Sequence, residues 1–213
     1  MSDIRFGTKW AHADYGLTVA PYVIPMPEPQ MNFVDIPGRD GALDLSEAFG
    51  SVRYADRTIP LTFYARAPFD TLISTFAADV HGQRMNVIFD RDPTFYYDAR
   101  IMIEDVERHW GYCELSLECR AKPYKLEQFE TAITVLPTGS ATVTLANTRM
   151  PVVPSITVSA EMTLAFTISG KDYSVTLPTG THTIPALVLS EGDTEIGITG
   201  TGSATFTYRK GTL

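Results

Sequence analysis

The sequence predicts a mostly-β protein in two domains, the first of which carries a single helix (an α+β domain) and an extended arm. Three observations predict it: period-two alternation in many short windows, one helical stripe, and an abrupt change of composition near residue 130. The chain has 213 residues, 44% hydrophobic and 20% charged, which is enough apolar material for two ordinary cores. Residues 1–130 hold 33 of the 42 charges and 19 of the 23 aromatics, whereas residues 131–213 hold 19 of the 26 threonines. The domains are therefore set at 1–130 and 131–213, with the link over 125–131.

In the first domain, residues 1–10 read as an opening strand, and 52–54, 59–64, 85–89 and 101–106 alternate as further strands. Residues 112–119 put Tyr112, Glu114, Ser116 and Glu118 on one face and Cys113, Leu115, Leu117 and Cys119 on the other. The second set is a core face, and both cysteines belong to it as small hydrophobes. Six residues apart on a straight strand, they lie roughly 20 Å from one another and cannot pair. Free thiols suit folding in a reducing cytoplasm.

Phe69, Leu72, Ile73, Phe76 and Val80 recur at helical spacing, which predicts a helix over 68–81 with Pro68 in its first turn and Gly82 at its end. Residues 14–31 contain four prolines, which exclude a central strand or a helix there. An extended arm lying against something else is expected, with Tyr15, Tyr22, Val23 and Ile24 as its contact residues. The first domain is read as a β-sandwich or barrel-like body. In the second, 132–136, 141–145, 155–158, 162–168, 173–177, 186–189, 194–198 and 204–208 read as short strands between Gly-containing turns, which indicates a sandwich or jelly roll.

No chemistry is nominated. His12, His81, His109 and His182 stand in no metal-type spacing and beside no nucleophile motif. The Asp90-Arg91-Asp92-Pro93 cluster breaks the alternation of a calcium loop and reads as a turn. Ser169-Gly170-Lys171-Asp172 lacks the rest of a phosphate loop. No metal, cofactor or catalytic residue is expected, and the protein is not read as an enzyme. No run of 18 apolar residues occurs, so no membrane insertion is expected. The net charge of -8 opposes nucleic-acid binding, which depends on clustered Lys and Arg.

Residues 33–65 contain Pro37-Gly38-Arg39-Asp40-Gly41, then Leu43-Asp44-Leu45, then Tyr54-x-x-Arg57. Two turn-forming dipeptides flank Arg39 and Asp40, so the chain folds back tightly there. This stretch resembles the signature of the phage distal tail protein (Dit) family. Phe95-Tyr96-Tyr97, then Lys122-Pro123-Tyr124-Lys125 at the domain border, then a β-rich tail follow in that family's order. Pro37, Gly38, Arg39, Asp40, Gly41, Asp44, Tyr54, Arg57, Pro123 and Tyr124 are accordingly the assembly candidates.

The resemblance implies a structural virion protein, made in the host cytoplasm, that forms a homo-hexameric ring at the tail tip of a phage or prophage with a long non-contractile tail. The first domain would build the ring and a galectin-like second domain would project from it. The partners implied are further copies of itself, the tail tube protein, the tail-associated tip protein and receptor-binding proteins. Genome DNA would pass through without specific binding, in keeping with a net charge of -7 over residues 1–130. The alternative from another class is a carbohydrate-binding β-sandwich module. It requires an exposed aromatic platform on residues 131–213, where only Phe166, Tyr173, Phe206 and Tyr208 are aromatic.

Overall fold

A computed structural model describes residues 2–48 and 50–213. The chain divides into two compact units, Met1–Lys125 and Leu126–Leu213. The first contains β1 (Ile4–Phe6), β2 (Lys9–Trp10), β3 (Thr18–Val19), β4 (Pro29–Gln30), β5 (Phe33–Val34), β6 (Leu43–Asp44), β7 (Arg53–Tyr54), β8 (Arg57–Arg66), α1 (Asp70–Val80), β9 (Arg84–Phe89), β10 (Phe95–His109) and β11 (Tyr112–Ala121). The mostly-β class with one helix is what the structure shows. Seven of these strands form one antiparallel path in the order β2-β1-β9-β10-β11-β8-β3.

Burial follows the alternation along the long strands. In β8, Ile59, Leu61, Phe63 and Ala65 are buried, and in β11 Cys113, Leu115, Leu117 and Cys119 are buried opposite them. This face is covered by α1, whose Ile73, Phe76 and Val80 point inward. Phe76 is its anchor: its ring meets those of Phe6 at 5.7 Å, Tyr15 at 5.0 Å and Phe63 at 6.2 Å, edge and tilted geometries that aromatic pairs favour. The helix begins at Asp70, two residues later than predicted, and Pro68 lies before it. Gly82 follows its end with φ +73°, a left-handed conformation that glycine adopts without cost. Burial pushes both thiols up, that of Cys119 to about 12, so neither is a ready nucleophile.

β12 (Lys125–Glu127) lies at the border. The second unit then contains β13 (Thr131–Val135), β14 (Thr138–Asn147), β15 (Ser155–Val158), β16 (Met162–Ile168), β17 (Lys171–Leu177), β18 (Gly180–Thr183), β19 (Gly192–Thr201), β20 (Ala204–Tyr208) and β21 (Gly211–Thr212). Two four-stranded sheets, β13-β20-β15-β18 and β14-β19-β16-β17, share one core built around Leu145, Leu164, Ile196 and Phe206. Of the unit's five aromatics, Phe166, Phe206 and Tyr208 are buried, Tyr173 is half-buried and stacks on Phe166 at 5.3 Å, and Phe129 near the border is exposed.

The expected strand at 186–189 is corrected. Pro185 has no N–H to give a ladder, the Leu187 N–H turns back to the Ile184 carbonyl, and Leu189 makes only an isolated bridge to Val152. Its alternating Leu187 and Leu189 are buried by a turn, not by a sheet.

The β16–β17 hairpin closes through Ser169 and Gly170, both with positive φ (51° and 76°), between the paired Ile168 and Lys171. Such two-residue loops match the right-handed twist of the flanking strands, and a side chain at the second position is strained. Gly170→Ala is expected to lower stability by about 1 kcal/mol, read as a lower urea midpoint of the full chain with the fold retained.

Candidate functional site

Between Pro25 and Arg57 the chain leaves the first unit's core and returns to it. Two short ladders hold this excursion together: β4 with β7 (Pro29 opposite Tyr54, Gln30 opposite Arg53), and further out β5 with β6 (Phe33 opposite Asp44, Val34 opposite Leu43). The Ala55 N–H donates to the Glu28 carbonyl and the Leu45 N–H to the Asn32 carbonyl, so the two limbs run side by side. Pro37-Gly38-Arg39-Asp40-Gly41 forms the tip, with Gly38 and Gly41 both at positive φ and the Arg39 N–H bonded to the Ile36 carbonyl. All five tip residues are exposed. Asp44 accepts the Ser46 N–H at 2.9 Å, and hydrogen bonding to Ser46 holds its carboxyl below the usual range.

The root of the excursion gathers the remaining motif residues. Arg57 is only 3% exposed. One of its terminal nitrogens donates to the Pro25 carbonyl at 3.3 Å, and the other donates to the Pro123 carbonyl. Its guanidinium lies over the Tyr97 ring at 5.2 Å. Burial disfavours the charge, and the neighbouring Tyr97 opposes that effect. The counter-groups are carbonyl dipoles and an aromatic face instead of a carboxylate. Beside it, the Tyr54 and Tyr124 rings meet edge to face at 5.9 Å. Tyr54, Arg57, Pro123 and Tyr124, spread over 71 positions of sequence, are thus one cluster that fixes where the excursion leaves the core.

The arm expectation is corrected in part. Tyr15 and Tyr22 are buried in their own unit's core and so offer no surface to another molecule, and half-buried Ile24 packs against that core. The Tyr15 hydroxyl donates to Asp79 at 2.7 Å, and Tyr22 packs on Phe89 at 5.2 Å. Prolines keep the segment extended, and successive side chains of an extended segment point to opposite sides. Val23, 74% exposed, faces away. The apolar groups offered outward lie further on, in the excursion: Met26, Met31, Phe33, Val34 and Ile36 are all exposed, Phe33 by 55%. Sequence reading passed over them, although Phe33-Val34-Asp35-Ile36 is a short strand-like run ahead of the Pro-Gly turn.

A concavity of the first unit, about 860 Å³, is lined by His12, Tyr64, Arg66, Leu72, Trp110 and Tyr112. Among the described residues, no group of three His, Cys, Asp or Glu side chains could hold a metal ion, and no helix is long and apolar enough to cross a membrane. What the excursion can offer is contact: a partly apolar hairpin held at its root by Arg57 and the Tyr54–Tyr124 pair.

No protein-family model matches the sequence, and no curated protein matches it. Among solved structures it is similar to the Dit (gp 19.1) protein of phage SPP1, presented as a paradigm of the hub adsorption apparatus in phages that infect Gram-positive bacteria. The TM-score is 0.70 at 17% identity, over 98% of this chain and 99% of that one. The chain has a Dit-like fold.

Proposed function

We propose that this chain is a structural virion protein, a hexameric hub at the distal tip of a phage tail. In this reading the first unit builds the ring, with further copies of the chain as neighbours. The tail tube protein docks on one side and the tail-associated tip protein on the other. The second unit, read as galectin-like, stands outward toward receptor-binding proteins. The chain is assembled in the host cytoplasm and does no catalysis, and DNA passes through without specific binding.

The observation that carries the reading is the excursion. Five large apolar side chains are exposed on one segment, and exposed apolar surface of this kind marks interaction sites; such a segment reaching a neighbour gives a head-to-tail contact, which makes a ring where its rotation closes. The likeness in fold to a hub protein over the whole chain supports it. The rival glycan-binding module calls for an aromatic platform, whereas Phe166, Phe206 and Tyr208 of the second unit are buried in its core and only Phe129, near the border, is fully exposed.

Light scattering of the purified full chain together with negative-stain imaging tests the proposal. A mass of about six chains and six-fold rings with a central hole are expected. A stable monomer that binds cell-wall glycans would overturn it.

A further inference from the structure

The uncovered face of the first unit's sheet carries an unusual row. Arg84 of β9 stands opposite Arg100 of β10, which stands opposite Arg120 of β11. Directly opposed residues share a face with Cβ atoms roughly 5 Å apart, and like charges so placed destabilise a sheet. Lys122 joins them, and the four cations line a groove of about 310 Å³ with Asp56 and Asp98 as its only carboxylates. Arg84 is bonded to Asp98 through two nitrogens, Lys122 reaches Asp56 at 3.3 Å, and Arg120 reaches it at 3.8 Å. Arg100 bonds a backbone carbonyl, that of Gly82, at 2.6 Å. The groove keeps a net charge of +2 on a chain whose total is -8. Exposed Met102 follows Arg100 on the same face of β10.

The excursion has the complementary character. From residue 32 to residue 50 it holds Asp35, Asp40, Asp44 and Glu47 against Arg39 alone, a net charge of -3. It also exposes Phe33, Val34 and Ile36. We infer that the arginine row is the seat for the excursion of a second copy of this chain, with Asp35 and Asp40 among the arginines and the apolar residues against Met102. This inference rests on the ring reading and names its acceptor surface. Opposite charge relieves the repulsion along the row and sets the register of the contact, as charge pairing does at other interfaces. A row so covered also presents no basic groove to passing phosphates. A duplex nucleic acid is the poorer occupant, because the groove is small and the chain as a whole is acidic.

Two full-length variants test it: Arg100→Glu with Arg120→Glu, and Asp35→Lys with Asp40→Lys. Each alone is expected to need at least a tenfold higher concentration to assemble in sedimentation velocity, with its urea midpoint near that of the wild type. An equimolar mixture is expected to restore assembly, because each reversed arm meets a reversed row around an even-numbered ring. Rings formed by either variant as readily as by the wild type would overturn the inference and leave the hub reading standing. A mixture that stays dissociated would overturn it too. A wild type that is monomeric at every concentration would remove the ring reading, and this inference with it. Binding of a labelled DNA duplex to the wild type, lost in the arginine variant, would assign the row to nucleic acid instead.

Discussion

Arg57→Ala is expected to lower the stability of the first unit by about 3 kcal/mol, a shift of roughly 1–2 M in the urea midpoint of its transition. Arg57 is buried without a carboxylate, so its removal strands no acid, but it does strand the carbonyls of Pro25 and Pro123. Hydrogen bonds from a charged donor contribute more than neutral ones, and each buried carbonyl left without a donor adds a penalty of its own. The lost contact with the Tyr97 face and the void left by the side chain act in the same direction. Lysine carries the same charge on one compact ammonium, which cannot span two carbonyls from a planar fork. Arg57→Lys should therefore recover less than half of the loss. Recovery of the full midpoint by lysine would show that charge alone, not the fork, holds the root.

That role could not be read from the sequence, and the reason is physical. Burial imposes a period on long elements, so Cys113, Leu115, Leu117 and Cys119 announced a core face, and the stripe from Phe69 to Val80 announced a helix packed on it. Two-residue strands have no period to impose. The ladders of Pro29–Gln30 with Arg53–Tyr54 and of Phe33–Val34 with Leu43–Asp44 are set by pairing across the excursion. The Pro-Gly and Asp-Gly dipeptides signalled only that the chain reverses there. Arg57 binds two carbonyls, and every residue has a carbonyl, so nothing at positions 25 or 123 marks the partner. Only the resemblance placed Tyr54, Arg57, Pro123 and Tyr124 in one set, and the geometry supplies its reason: they anchor the base of the excursion. The arginine row was hidden in the same way. Arg84, Arg100 and Arg120 are far apart in sequence and become neighbours only through the register of three strands. Tyr15 and Tyr22 erred in the other direction, since a proline-rich apolar segment looks alike whether it lies on its own core or on a neighbour's.

Replacing residues 31–52 by Asn-Gly should abolish assembly while leaving the fold intact. Gln30 and Arg53 are directly paired, so a two-residue turn closes the inner ladder where it stands. The root cluster, with Arg57 bonded to Pro25 and Pro123, is untouched. The described residues among those removed are largely exposed, and none of them belongs to the core cluster. Unfolding should therefore shift by no more than about 1 kcal/mol, the range of surface changes, while the light-scattering mass falls to that of one chain. Shortening the excursion also removes exposed apolar surface, so solubility should rise. The contrast with Arg57→Ala is the useful part. That substitution loosens both the core and the base of the excursion, so it should weaken folding and assembly together. The truncation separates them, because contact surface and fold reside in different residues. A truncated chain that still forms rings would place the subunit contact elsewhere on the first unit and leave the excursion without a role in assembly.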